Sequence, residues 1–206
     1  HTTQTKNMDY INGSLYLSGM MKGGFAPYGE EEARIASKST PLNGFVIKCD
    51  ASNGEWLGGV SADEQGIGGY FGVAKGKENN LYAYGYSWAT PNKGICLTTI
   101  DESSWEKTEK IALITETGMG TAWSCLADGT NFYSFSRGNK AVNFYNSEFT
   151  LPAPTGWGMF ISSWKLDDIA TGIETPNLAG NDTRIYGVQG GVVVNTEEPI
   201  DVYIYN

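Results

Sequence analysis

Gly44-Phe45-Val46-Ile47-Lys48-Cys49-Asp50, closed by the polar turn Ala51-Ser52-Asn53-Gly54 and the return Glu55-Trp56-Leu57, is the stretch that decides how this chain folds. An apolar, partly β-branched run between a glycine and a turn-forming cluster reads as a strand entering a hairpin. The same layout recurs. Gly94-Ile95-Cys96-Leu97-Thr98-Thr99-Ile100-Asp101 leads through Glu102-Ser103-Ser104 to Trp105 and Ile111-Ala112-Leu113-Ile114. Gly158-Met159-Phe160-Ile161-Ser162-Ser163-Trp164-Lys165-Leu166-Asp167 is a third version.

Each of these runs has a strand-like partner before it: Ser14-Leu15-Tyr16-Leu17-Ser18-Gly19, Asn80-Leu81-Tyr82-Ala83-Tyr84-Gly85 and Asn131-Phe132-Tyr133-Ser134-Phe135-Ser136. Leu15 and Leu17 alternate with Tyr16, and Leu81 and Ala83 with Tyr82 and Tyr84, the period of a strand. Before the second and third units comes one more shared piece, Gly66-Ile67-Gly68-Gly69-Tyr70-Phe71-Gly72-Val73-Ala74 or Gly118-Met119-Gly120-Thr121-Ala122-Trp123-Ser124-Cys125-Leu126-Ala127. It enters the next strand through the turn Lys75-Gly76-Lys77-Glu78-Asn79 or Asp128-Gly129-Thr130. The repeating unit is thus about four antiparallel strands, returning roughly every 50–65 residues, close to the blade length of propeller repeats.

Composition agrees with an all-β chain. The 206 residues include 27 Gly, 12 Tyr, 8 Phe and 6 Trp, so turns and pleated, half-buried surfaces dominate. The expected architecture is a partial β-propeller of about three four-stranded blades over residues 1–170, with a β-sandwich as the structural rival. Three blades are fewer than a closed propeller uses. Further blades, preceding His1 in a longer protein or supplied by another chain, are therefore expected as partners. A turn-rich linker over 171–183 leads to a fresh hairpin pattern over 184–206, with Arg184-Ile185-Tyr186-Gly187-Val188 and Val192-Val193-Val194-Asn195 around Gln189-Gly190-Gly191, then Ile200-Asp201-Val202-Tyr203-Ile204-Tyr205-Asn206.

Two resemblances follow from these residues. Gly44-Phe45-Val46-Ile47-Lys48-Cys49-Asp50 with Gly54-Glu55-Trp56 resembles bacterial propeller repeats of the form Gly, Phe-Val-x-Lys-x-Asp, x-x-Gly-x-x-Trp. The later units depart from it: Thr99 and Lys165 stand in the lysine region, and the Gly-x-Trp turn becomes Ser104-Trp105. Ile185-Tyr186, Gly190-Gly191-Val192-Val193-Val194 and Val202-Tyr203-Ile204-Tyr205-Asn206 look like the opening of the C-terminal sorting domain carried by cargo of the Bacteroidetes type IX secretion system. That resemblance implies an exported protein, extracellular or outer-membrane associated, whose tail is an address and not a functional site. The family's domain continues beyond the point where Asn206 falls. The opening His1-Thr2-Thr3-Gln4 carries no signal-peptide pattern, as expected of a mature or trimmed product or a piece of a longer chain.

Charge and residue types narrow the function. A net charge of −9 opposes nucleic acid and anionic lipid as partners. No apolar run reaches the roughly 20 residues of a membrane-spanning helix. The one histidine is His1, so Ser-His-Asp and Cys-His catalysis and histidine-ligated metals are not expected. Cys49, Cys96 and Cys125 fit no zinc spacing and read as small buried hydrophobes, with one disulfide plus a leftover thiol as the alternative. Glu30-Glu31-Glu32, Asp63-Glu64, Asp101-Glu102 and Asp167-Asp168 are acids in turns, read as solvated and not as a glycosidase pair. Asp50-x-x-Asn53-Gly54-Glu55 reads as a hydrogen-bonded turn ahead of a Ca²⁺ loop, and Gly66-x-Gly68-Gly69 as a tight turn or closely packed strand, lacking the features of a nucleotide loop.

Aromatic side chains are the binding candidates. Tyr84, Tyr86 and Trp88 fall on one face of one strand, and Trp157 lies in the loop Pro152-Ala153-Pro154-Thr155-Gly156-Trp157-Gly158. Such rings stack on sugars or anchor protein partners, and core packing between blades is the competing reading. The expected function is a non-catalytic, secreted or cell-surface binding or scaffold protein, its ligand a glycan or another envelope protein. Alternatives are a polysaccharide-active enzyme using carboxylates in a propeller channel, and a subunit of a surface assembly. No catalytic residue, metal site or cofactor is expected.

Overall fold

The computed structural model describes residues 2–27, 29–36, 42–62, 66–88, 93–116, 120–145, 150–166, 184–188 and 191–195. These residues form open antiparallel sheets. The first is a four-stranded meander of β1 (Thr2–Ile11), β2 (Ser14–Lys22), β5 (Asn43–Asp50) and β6 (Trp56–Ser61). Between β2 and β5 a small excursion pairs β3 (Gly24–Phe25) with β4 (Ile35–Ala36). The second sheet runs β7 (Ile67–Lys75), β8 (Asn80–Ser87), β9 (Gly94–Asp101), β10 (Lys107–Glu116). The third begins β11 (Gly120–Ala127), β12 (Asn131–Gly138), β15 (Gly158–Lys165).

The first sheet has the four strands per repeat that the sequence pattern implies, and the second and third hold more. The long connection after β12 supplies β13 (Val142–Phe144) and β14 (Thr150–Leu151), which add to the second sheet through the open edge of β10. An unpaired sheet edge offers free N–H and C=O groups, and a connection passing nearby satisfies them. The hairpin of β16 (Arg184–Val188) and β17 (Gly191–Asn195) joins the third sheet where Phe160 meets Tyr186. The expected linker over 171–183 and the strand beginning at Ile200 lie outside the described residues.

The three main sheets stack in chain order. β7 crosses β2 and β5 of the first sheet, and β11 crosses β7 and β8 of the second. Alternation decides which layer each side chain fills. Tyr16 and Val46 meet Tyr70, Leu81, Ala83, Cys96 and Ile100 between the first and second sheets. Tyr82, Tyr84, Leu97 and Leu113 meet Ala122, Phe132, Phe160 and Trp164 between the second and third. The Tyr84 hydroxyl is hydrogen-bonded to Ser136 in that second layer. On the far side of the first sheet, Met21, Phe45 and Ile47 are covered by Ile35 and Phe25 of the β3–β4 excursion.

The turns repeat as well as the strands. In the β5–β6 connection Asp50 accepts from the Gly54 N–H and donates its own to Glu55; Asp101, Trp105 and Glu106 repeat both bonds in the β9–β10 connection. Trp105 therefore stands where the first repeat has Gly54, and it keeps the same left-handed backbone, φ 60° against 75°. The sequence alignment of Ser104-Trp105 with the Gly-x-Trp turn is shifted accordingly. Trp105 earns its strained backbone by lying across Gly58. A methyl on Gly58 would sit 1.9 Å from Trp105 Nε1, at a φ of +152° that already favours glycine. Gly58→Ala is expected to destabilise the fold by about 2–3 kcal/mol, read as a lowered midpoint in chemical denaturation. An unchanged midpoint would show that the Trp105 ring is not held there.

Candidate functional site

Several of the described carboxylates are taken up by structure. Asp50 accepts from the Ser52 N–H at 2.7 Å, Asp101 from Ser103 at 2.7 Å, and Asp128 from Thr130 and Asn131 at 2.8 and 2.7 Å. These bonds close turns and hold all three carboxyls below the usual aspartate range. Asn53 accepts from the Glu55 N–H at 2.8 Å, so the Asp50–Glu55 segment is a hydrogen-bonded turn. Asp9, raised by burial, accepts from the Val73 N–H at 3.1 Å on the outer edge of β7. Glu30 pairs with Arg34. Among the described residues no three His, Cys, Asp or Glu side chains converge as a metal site would need. Asp63-Glu64 and Asp167-Asp168 lie outside the described residues. Cys49, Cys96 and Cys125 are unpaired, the last two buried, and burial raises all three thiols, leaving them poor nucleophiles.

Glu102 draws its partners from two sheets. It lies beyond Asp101 in the β9–β10 turn and binds the Tyr16 hydroxyl, Lys48 and Lys75. Tyr16 and Lys48 belong to the first sheet, Lys75 to the second. Burial raises its pKa, but the bonds from Lys48, Lys75 and Tyr16 outweigh that and hold the carboxyl at about 2. The group is a clamp between two sheets.

The aromatic candidates separate. Tyr84 is fully buried between the second and third sheets. Tyr86 is partly buried against the same layer, its ring 6.4 Å from that of Trp88. Trp88, 42 % exposed, lies over Gly68, where a Cβ would come within 2.1 Å of the indole. The glycine cluster at the start of β7 thus makes room for a ring. Trp157 is 47 % exposed, and the Arg137 guanidinium sits 4.5 Å from its ring centre.

Arg137 has a second indole neighbour, Trp123 at 5.3 Å, which the sequence did not single out. The pairing register of β11 against β12 shifts between Ala122 and Ser124, a β-bulge around Trp123. Ala122 and Cys125 both face the second sheet, so the bulge leaves Trp123 and Ser124 together on the opposite side. Alternation places Phe135 and Arg137 on that same outward face, with Met159 and Ile161 opposite them on β15. Leu126, Trp123, Trp157, Met159 and Ile161 are all substantially exposed there. The Arg137 Nε is buried without a hydrogen-bond partner, and among the described residues no carboxylate pairs with it.

No protein-family model and no curated protein matches this chain. Two indoles on either side of an arginine, ringed by Met, Ile and Leu, have the composition of a desolvated interface centre. Nothing in that arrangement supplies a general acid–base pair or a nucleophile. Among the described residues no helix is long and apolar enough to cross a membrane.

Proposed function

We propose that this chain is a non-catalytic binding or scaffold module built from β-propeller repeats, and that the outward face of its third sheet is the docking surface. One observation carries this reading. The second sheet buries its own face under the third, whereas the outward face of the third shows Trp123, Leu126, Met159 and Ile161 to solvent around Arg137 and Trp157. Exposed apolar patches of that kind on a β protein mark interaction sites. The in-order stacking of meander sheets supports successive propeller blades over a two-layer sandwich. Placement at the outside of the cell rests on the sorting-type tail residues Ile185-Tyr186 and Val192-Val193-Val194.

Against the polysaccharide-active alternative stands that Asp50, Asp101 and Asp128 close turns and Glu102 is held in the clamp. A glycan array run beside a polysaccharide hydrolysis assay tests the reading. The full chain is expected to release no reducing ends. If it binds a glycan, retention should fall about two- to tenfold in Trp123→Ala and in Trp157→Ala, because loss of one stacking indole costs about 0.5–1.5 kcal/mol. Reducing-end release that disappears when an Asp or Glu is replaced would overturn the proposal in favour of an enzyme.

A further inference from the structure

We propose that the partner on the outward face of the third sheet is a second copy of this chain, bound face to face about a two-fold axis that crosses β12 at Phe135. The inference rests on the docking-surface reading above and names its occupant. Its first support is charge. Along β12 the outward side chains run Tyr133, Phe135, Arg137. At the Tyr133 end, the hydroxyl donates to Asp128 Oδ2 at 2.9 Å, and four bonds hold that carboxylate ionised. At the other end, roughly 13 Å away at strand rise, stands Arg137 with no carboxylate of its own among the described residues.

An axis lying between the two sheets and perpendicular to β12 runs the paired strands antiparallel. It sets residue 137 of each copy over residue 133 of the other. Each Arg137 then meets the Asp128–Tyr133 end of its neighbour. Phe135 and Ile161, directly opposite one another on β12 and β15, fall near the axis and bury against themselves. The patch is therefore self-complementary, as an isologous interface requires, and aligned sheet packing is a standard way to bury two such faces.

The second support is the apolar centre of the patch: Ile161 is exposed beside Phe135, and the axis sets each against its own copy and removes it from water.

The test is the mass of the full chain in solution, measured by light scattering after size exclusion over a dilution series. The expected result is a rise from 22.3 kDa toward twice that mass with concentration. Arg137→Glu alone and Asp128→Lys alone should each stay monomeric, since each sets like charges against each other at both contacts. An equimolar mixture of the two should recover the dimer, because the mixed pair restores opposite charge at both. Asp128 also caps its turn. Ile161→Glu and Ile161→Lys, at a site 45 % exposed and tolerant of polar side chains, give a second pair whose mixture should dimerise while each alone does not. A wild-type monomer at every concentration would overturn the proposal, as would variants that dimerise as well as wild type. Either result leaves the hydrolysis and glycan outcomes untouched, so failure of the dimer and failure of the non-catalytic reading are told apart.

Discussion

Glu102→Gln is expected to cost the protein about 2–3 kcal/mol and to remove most of the acid sensitivity of the contact between the first and second sheets. The carboxylate is only 12 % exposed and has two lysines and a phenol as partners. Neutralising it leaves two cations facing each other with their anion gone, the arrangement in which removing one partner of a buried ion pair is most damaging. Lys48 and Lys75 keep 22 % and 27 % exposure, so water screens part of the loss, which puts the figure below the full range for a buried pair. The sign with pH follows from the depressed pKa. A carboxyl lowered from 4.5 to about 2 stabilises the fold fully above 4.5, and that stability is lost as pH falls toward 2. Wild type should therefore weaken steeply between those limits, and Glu102→Gln should show a flatter profile over the same window. Urea denaturation at a series of pH values checks both points; parallel profiles would remove Glu102 from the clamp.

The second large effect is expected at Phe132. Its ring is fully buried, 5.8 Å from Tyr84 and 6.3 Å from Trp164, in the layer that joins the second and third sheets. Phe132→Ala opens a cavity where sheets approach closely, and aromatic-to-alanine changes in such cores cost about 3–5 kcal/mol. Phe135→Ala, three positions along the same strand and facing outward, is the control. It should cost the dilute protein about 1 kcal/mol or less, while removing contact area from the docking surface. A larger loss at Phe135 than at Phe132 would mean that the third sheet faces the other way. A loss at Phe132 confined to the unfolding of residues 120–166, seen by amide exchange, would show the third sheet opening as its own unit.

Much of this could be read along the chain. The recurrence of glycine, apolar run, aspartate and polar turn at 44–54 and 94–105 signalled similar hairpins, and the same aspartate bonds close both. Alternation at Leu81-Tyr82-Ala83-Tyr84 foretold opposite faces, and the two faces fill two different layers. The Gly66–Gly69 cluster signalled close approach, and Trp88 is what approaches. What sequence spacing could not supply was the register. Trp123 sits in an ordinary-looking run, and the bulge between Ala122 and Ser124 is what lets Ala122 and Cys125 both face the core while Trp123 and Ser124 both face out. Arg137 is one arginine in an alternating strand, and it acquires meaning from two indoles 14 and 20 residues away that pairing brings to it.

The amino-acid order alone determined the local choices: which segments extend, where they turn, and that the chain carries a single histidine. Those follow from backbone preference and side-chain period, which act over a handful of neighbours. The tertiary structure alone decided which strand-like segment lies beside which sheet, why Tyr84 is core while Trp157 is surface, and which apolar face is left without a cover. Those outcomes depend on hydrogen-bond register and on the burial of one sheet by another. Both are set by contacts between residues far apart in the chain, and a shift of one position in register exchanges inside for outside.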